Sequence, residues 1–182
     1  MNNIVTILTI SRIIIAPLIF ISIIFFQFYG LALFLFFVAS LTDYFDGFLA
    51  RKYKETSLLG EVLDPIADKI IIIFLLFTLS LHLNSYFIAL IGALMISRDV
   101  WVNGMREMNA RLSQSDRTKV TFLAKVKTSL QMFTVLLYLL ALLLGNAFLL
   151  FISDFLLFLT LLVSLVTGFQ YTVNTISQKS DK

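Results

Sequence analysis

The chain has 182 residues, of which 59% are apolar and only 14% are charged. A soluble domain is closer to half apolar and a quarter charged, so this composition indicates lipid as the surrounding solvent. Because the chain has no cysteine, a disulfide framework and a thiolate metal site are both excluded. The net charge of +3 suits an anionic membrane surface and gives no reason to expect a nucleic-acid partner.

The apolar residues fall into six long stretches, which predict one all-α domain over residues 1–182 that crosses the membrane as a six-helix bundle. Backbone groups in hydrocarbon must be satisfied within their own segment, so apolar stretches of about 20 residues are expected to be helices. Short turn signals separate three pairs of helices, at Tyr29-Gly30, Asn84-Ser85 and Gly145-Asn146. The predicted helices are Val5–Phe28, Leu31–Arg51, Leu58–Leu83, Tyr86–Val102, Val120–Leu144 and Ala147–Thr172.

The positions of the basic residues predict the orientation in the membrane. Lysines and arginines follow the second and fourth predicted helices, precede or open the fifth, and close the chain, whereas the three short turns contain none. By the positive-inside rule, both termini and the two charged loops are therefore expected in the cytoplasm. The apolar start lacks a basic n-region and a small-residue cleavage site, so we expect it to remain as the first helix.

Four aspartates lie inside predicted membrane helices. Asp43 and Asp46 precede the end of the second helix by five to eight residues, and Asp64 and Asp68 enter the third to a similar level. Their spacings of three and four residues place each pair on one helical face. Ionisable groups inside a membrane are unfavourable, so they are expected to face a protein interior or a water-filled cavity and to be functional. Small residues share the same faces: Gly47, Ala50 and Gly60.

Four carboxylates that converge in a low dielectric repel each other unless cations neutralise them. Hard oxygen ligands favour Mg²⁺, Mn²⁺ or Ca²⁺ over softer metals. A divalent site that faces both lipid and cytosol suits chemistry on phosphate esters, in which a free carboxylate takes a proton from an incoming hydroxyl. The cluster therefore predicts a metal-dependent active site at the cytoplasmic side.

Residues 43–68 read DYFDGFLARKYKETSLLGEVLDPIAD. This segment resembles the signature of the CDP-alcohol phosphotransferase family, D-x2-D-G-x2-A-R-x8-G-x3-D-x3-D. All eight fixed positions match: Asp43, Asp46, Gly47, Ala50, Arg51, Gly60, Asp64 and Asp68. The family's six-helix fold agrees with the predicted helices, so the resemblance covers essentially the whole chain.

The resemblance implies an enzyme in which an alcohol attacks a CDP-linked lipid, such as CDP-diacylglycerol, and CMP leaves. The four aspartates would form a Mg²⁺ or Mn²⁺ site, and Asp68 would act as the general base. Other motif positions would contact the nucleotide or the CDP-lipid: Thr9, Gly47, Ala50, Arg51 and Gly60. A homodimer in a bacterial inner membrane, with its active site on the cytoplasmic side, is expected by the same resemblance.

Three further segments, residues 97–99, 104–107 and 124–132, resemble family members whose acceptor is glycerol 3-phosphate. This acceptor brings a phosphate dianion, which needs several cations near the catalytic carboxylates. The candidate cations are Arg98, Arg106, Lys125 and Lys127.

Two alternatives remain open at this point. Arg98-Asp99 stands where these members have Arg-Glu, and Arg-Asp occurs in related cardiolipin synthases that use phosphatidylglycerol as acceptor. A divalent-cation transporter could also use membrane carboxylates, but its acids would be expected near the midplane. Outside the cluster, Asp154 stands alone near the outer side, and His82 falls in an outer turn where no role is expected.

Overall fold

The computed structural model describes residues 2–53, 58–111 and 122–177. Within these ranges, the side chains of residues 2–8, 43–53, 58–62, 64–65, 122, 124–125 and 176–177 are not described. The described residues form six helices, which confirms the expectation of an all-α chain. They are α1 Asn2–Ile24, α2 Tyr29–Tyr53, α3 Leu58–His82, α4 Tyr86–Arg111, α5 Phe122–Leu144 and α6 Ala147–Ser177.

Two of the predicted turns join helices by the same local geometry. Asn84 and Gly145 adopt the left-handed conformation, with φ of 49° and 60°, in the turns that follow α3 and α5. In both turns the next amide donates to the carbonyl five residues back, at 3.0 Å, which closes a Schellman motif. That next residue caps the following helix: the Ser85 hydroxyl accepts from an amide of α4, and the Asn146 side chain accepts from two amides of α6.

The turn between α1 and α2 lies earlier than predicted. Gln27 has φ of 53°, and the amide of Phe28 donates to the carbonyl of Ser22 at 2.9 Å, so the turn occupies residues 25–28. Tyr29 and Gly30, the predicted turn, instead open α2. The turn segment is mostly phenylalanine, so its composition continues the apolar pattern and does not mark where the helix ends.

Helix α4 runs nine residues beyond its predicted end, and α6 runs five residues further than expected. The sequence predicts a long, charged break over Asn103–Lys119, so residues 103–111 were expected to lie in a loop. Two of their inward side chains bind α6: Arg106 donates to the Tyr171 hydroxyl, and Asn109 donates to that of Thr175. Tertiary hydrogen bonds therefore extend both helices past the apolar segments.

Packing is organised around α1 and α6. Helix α1 packs against α2 and α3, α6 packs against α4 and α5, and α3 contacts α4 and α5. Buried alanines, among them Ala16, Ala32 and Ala39, allow close approach of the first helices. Within the described residues, α2 and α3 are joined mainly through α1, and they touch at their ends, where Tyr29 contacts His82.

Large apolar side chains cover the outside of the bundle. Phe148, Phe151 and Phe155 are well exposed on α6, and exposed aromatic or aliphatic residues occur on every other helix. Apolar surface of this extent is expected of a protein that faces lipid. Among the residues that the structure describes, three helical segments are long and apolar enough to cross a membrane: Tyr86–Arg111, Val126–Leu144 and Ala147–Thr175. These features indicate an integral membrane protein.

Candidate active site

A cavity of about 260 Å³ lies among α3, α4, α5 and α6. Its described lining is apolar on one side, where Ile72, Leu76 and Met95 lie, and polar on the other. The polar and charged lining residues are Asp68, Lys69, Arg98, Asp99, Asn103, Arg106, Lys127, Thr128, Gln131 and Tyr171. Four of these side chains are basic and two are acidic, so the described lining has an excess of positive charge.

Asp68 reaches this cavity from α3. Its carboxylate forms an ion pair with Arg12 of α1. The Arg12 side chain is 1% exposed, whereas the Asp68 side chain is 32% exposed, so the arginine is held inside the bundle and the carboxylate faces open space. The preceding residue, Ala67, is fully buried, which fixes this turn of α3 against the protein. A partly exposed carboxylate that is oriented by a buried arginine can accept a proton from a bound hydroxyl.

Asp99 holds two of the predicted acceptor-binding cations together. One oxygen of its carboxylate accepts from Arg98 Nη1 at 2.8 Å and from Lys127 Nζ at 2.5 Å. The first contact lies within α4, and the second joins α4 to α5. Because all three charged groups are largely buried, each would be unfavourable alone and the pairings fix their positions.

Arg106 lies two turns beyond Arg98 on α4. Its Nη2 donates to the Tyr171 hydroxyl at 3.1 Å, and its guanidinium carbon lies 5.1 Å from the centre of the same ring. Tyr171 is buried, so it supports Arg106 with both its hydroxyl and its π face. The fourth cation is Lys69, which follows Asp68 directly and also lines the cavity.

The structure thus brings four predicted site residues to one cavity: Asp68, Arg98, Arg106 and Lys127. Thr9 lies one turn before Arg12 on α1 and is fully buried. The side chains of the remaining candidates lie outside the described residues, so their roles stay predictions. They are Asp43, Asp46, Gly47, Ala50, Arg51, Gly60, Asp64 and Lys125.

Several residues at the cavity were not identified as site residues from the sequence. Arg12, the partner of the cavity residue Asp68, matches an L-T-x-x-R pattern of the family together with Thr9, but it was not assigned to the site because its partner is 56 positions away. Lys69 was considered a possible ion-pair partner for the aspartates and was not assigned to the acceptor. Tyr171 gave no signal, since a tyrosine near the end of an apolar helix is common at membrane interfaces.

The chemistry of the donor set fits the metal ion that the sequence motif implies. Asp43 and Asp46 belong to α2, and Asp64 and Asp68 belong to α3, so the set offers four carboxylates and no sulfur or imidazole. Such ligands suit Mg²⁺ or Mn²⁺. Among the described side chains, Asp68 contributes one of these carboxylates at the edge of the cation-lined cavity.

The fold and the cavity define an all-helical membrane protein with a carboxylate at a cavity in whose described lining the basic side chains outnumber the acidic ones. The sequence matches the CDP-alcohol phosphatidyltransferase family over residues 2–169, and the chain belongs to this family.

Individual relatives are similar over most of their length. The chain is 38% identical over 139 residues to the CDP-diacylglycerol–glycerol-3-phosphate 3-phosphatidyltransferase of Wigglesworthia glossinidia brevipalpis, covering 73% of this chain and 74% of that protein. It is 39% identical over 137 residues to the protein of the same name from Blochmanniella floridana, with 74% and 72% covered. The protein of that name from Escherichia coli strain K12 is 37% identical over 133 residues, with 71% and 72% covered.

Proposed function

We propose that this chain transfers the phosphatidyl group of CDP-diacylglycerol to glycerol 3-phosphate, giving phosphatidylglycerophosphate and CMP. The observation that carries the proposal is the shared cavity: Asp68 opens into the same space as Arg98, Arg106 and Lys127. A base for a hydroxyl and cations for a phosphate are the two requirements of this acceptor. The names of the bacterial relatives support the same reaction.

The proposed mechanism is direct displacement at the phosphorus on the diacylglycerol side. Asp68 takes the proton of the acceptor hydroxyl, and the acceptor oxygen forms a new bond to that phosphorus. The bond between this phosphorus and the oxygen of the leaving CMP breaks, and CMP carries away the electron pair. Direct attack is favoured because no serine, cysteine or histidine in the motif stands out as a nucleophile that could form a covalent intermediate.

In this proposal the carboxylates of Asp43, Asp46, Asp64 and Asp68 hold one or two divalent ions. When bound, Mg²⁺ or Mn²⁺ would neutralise the diphosphate and stabilise the leaving group. The CDP-lipid is proposed to lie along the motif residues and the start of α1: Thr9, Gly47, Ala50, Arg51 and Gly60. The acceptor phosphate is proposed to bind Arg98, Arg106 and Lys127, together with Lys125, which lies two residues before Lys127 in the sequence.

Lys69 is added to the acceptor site by its position in the cavity. Its electrostatic neighbours are Asp99, Arg106 and Arg98, which form the proposed phosphate-binding cluster. A fourth cation increases the advantage of a phosphate dianion over an acceptor without a phosphate monoester. This excess of positive charge favours glycerol 3-phosphate over phosphatidylglycerol, which would be the acceptor under the alternative hypothesis of a cardiolipin synthase.

We further propose that all six helices span a bacterial inner membrane, with both termini and the active site on the cytoplasmic side. The distribution of lysine and arginine supports this orientation. A homodimer is proposed from the resemblance to the family. Cytoplasmic access agrees with the chemistry, since glycerol 3-phosphate is a water-soluble anion while CDP-diacylglycerol is delivered from the bilayer.

The function is tested by following CMP release from CDP-diacylglycerol by the full chain, purified in detergent with Mg²⁺ or Mn²⁺. We expect release with glycerol 3-phosphate, none with phosphatidylglycerol, and loss of release on addition of EDTA that is reversed by excess metal. Release only with phosphatidylglycerol would assign a cardiolipin synthase. Release that persists in EDTA would contradict the metal site, and no release with either acceptor would contradict the proposed reaction.

A further inference from the structure

Helices α4 and α6 are joined by a repeated hydrogen-bond pattern at the end where the cavity lies. Three α6 threonines contribute: Thr167, Thr172 and Thr175. Each hydroxyl donates to the carbonyl four residues earlier in α6, at 2.9–3.0 Å, so its lone pairs are left to accept from α4. The corresponding donors are Arg98 Nη2, Trp101 Nε1 and Asn109 Nδ2, at 2.7, 3.0 and 3.0 Å.

Arg98 lies directly against the backbone of α6 at Gly168. A Cβ at this glycine would lie 2.8 Å from Arg98 Nε and 3.0 Å from Arg98 Cγ, closer than side-chain atoms normally approach. The side chain of Arg98 cannot easily move away, because its Nη1 is bound to Asp99 and its Nη2 to Thr167. Its Nε is buried and has no hydrogen-bond partner among the described atoms, as expected for an atom pressed against the helix.

We propose that Gly168 is a positioning residue for the acceptor-phosphate site. Because Gly168 has no side chain, the Arg98 side chain can lie against the backbone of α6 and bind Asp99 at the cavity. This inference rests on the proposed function and extends it to a residue that does not itself line the cavity. Through Asp99, the placement of Arg98 also determines where Lys127 lies. One methyl group at position 168 therefore displaces two of the cations that receive the phosphate.

The first test compares Gly168→Ala with Gly30→Ala. The control adds the same methyl group at the start of α2, where the nearest atom to the new Cβ is a leucine methyl carbon at 3.8 Å. For Gly168→Ala we expect KM for glycerol 3-phosphate to rise about 10- to 100-fold, since small misplacements of binding groups have effects of this size. KM for CDP-diacylglycerol and the thermal unfolding midpoint should stay close to those of the Gly30→Ala protein.

The second test asks whether Gly168 acts through Arg98. In an Arg98→Ala background the clash is removed, so adding Gly168→Ala should raise KM for glycerol 3-phosphate no further. Full additivity of the two substitutions would overturn the proposal. An unchanged KM in Gly168→Ala, or an equal rise of KM for both substrates together with a lower unfolding midpoint, would overturn it as well.

Failure of the proposed function is recognised separately, because the wild-type protein would then release no CMP with glycerol 3-phosphate. In that case the readout is stabilisation by inorganic phosphate, measured as the shift of the unfolding midpoint. A shift in the wild type and in Gly30→Ala that is reduced in Gly168→Ala would support the positioning role. No shift in the wild type, or equal shifts in all three proteins, would overturn it.

Discussion

Arg12 of α1 and Asp68 of α3 form an ion pair across 56 positions of sequence. The pair joins the first helix of the bundle to the residue that we propose as the general base. Because Arg12 is buried and Asp68 faces the cavity, the arginine acts on the orientation of the carboxylate from inside the protein. The first helix therefore contributes to the proposed active site as well as to the packing of the bundle.

Replacing Arg12 by alanine is expected to lower both stability and turnover. Removing one partner of a buried ion pair costs about 3–5 kcal/mol, and the partial exposure of Asp68 places the expected loss at the lower end. The matched control is Arg111→Ala, whose ion pair with Glu107 has side chains 78% and 65% exposed. Exposed ion pairs contribute about 0–1 kcal/mol to stability. The thermal unfolding midpoint in detergent should therefore fall clearly only in the Arg12 variant. Equal shifts in the two variants would contradict this assignment.

Asp68→Asn is expected to reduce CMP release by at least about 100-fold, since the amide cannot take the proton of the acceptor hydroxyl. The change preserves side-chain size, and CDP-diacylglycerol binding should remain largely intact when it is measured by equilibrium binding in detergent. Near-normal turnover in this variant would remove Asp68 as the base. Loss of lipid binding together with turnover would instead assign it mainly to the metal site.

Arg106→Ala and Lys127→Ala are each expected to raise KM for glycerol 3-phosphate about 10-fold or more, with a much smaller effect on KM for CDP-diacylglycerol. Charge-assisted hydrogen bonds to a phosphate are among the stronger polar interactions, and about 1.4 kcal/mol corresponds to a factor of ten. Arg111→Ala again serves as the control, because this arginine is exposed and does not line the cavity. An equal rise of KM for both substrates would argue against a phosphate-specific pocket.

Tyr138→Phe is expected to destabilise the protein without altering KM for either substrate. The Tyr138 hydroxyl donates to Asp154 at 2.5 Å between α5 and α6, and Tyr138 is fully buried. Leaving a buried acceptor without its donor costs about 1–3 kcal/mol, and because Asp154 is only partly buried the lower end of this range is expected. Tyr29→Phe provides the comparison: its hydroxyl pairs with His82 at 3.0 Å in a less buried place, so a smaller loss of the unfolding midpoint is expected.

Both contacts involve residues for which the sequence predicts no part in the chemistry. Asp154 lies outside the predicted aspartate cluster, and it accepts a hydrogen bond from Tyr138 of the neighbouring helix. His82 falls in a predicted outer turn, and its contact with Tyr29 joins the ends of α2 and α3. Neither contact could be predicted from spacing, because both depend on which helices are neighbours.

The number of helices and most of their limits could be predicted from the sequence, because helix formation in lipid depends on the length of apolar segments. The limits at Arg111 and Ser177 could not be predicted, because polar residues extend these helices only when another helix forms hydrogen bonds with their side chains. Asn109 illustrates this: on its own it favours a turn, but its bond to Thr175 stabilises it within α4.

The sequence by itself determined the family, the reaction class it implies and the cationic character of the acceptor segments, because these depend on residue type and local spacing. Only the tertiary structure decided which cations share a cavity with Asp68, that Arg12 is its partner, and that Asp99 joins Arg98 to Lys127. Those contacts connect four helices, and their distances depend on how the helices pack. The sequence shows which residues are charged, whereas the packing of the helices determines which of these charges lie close to one another.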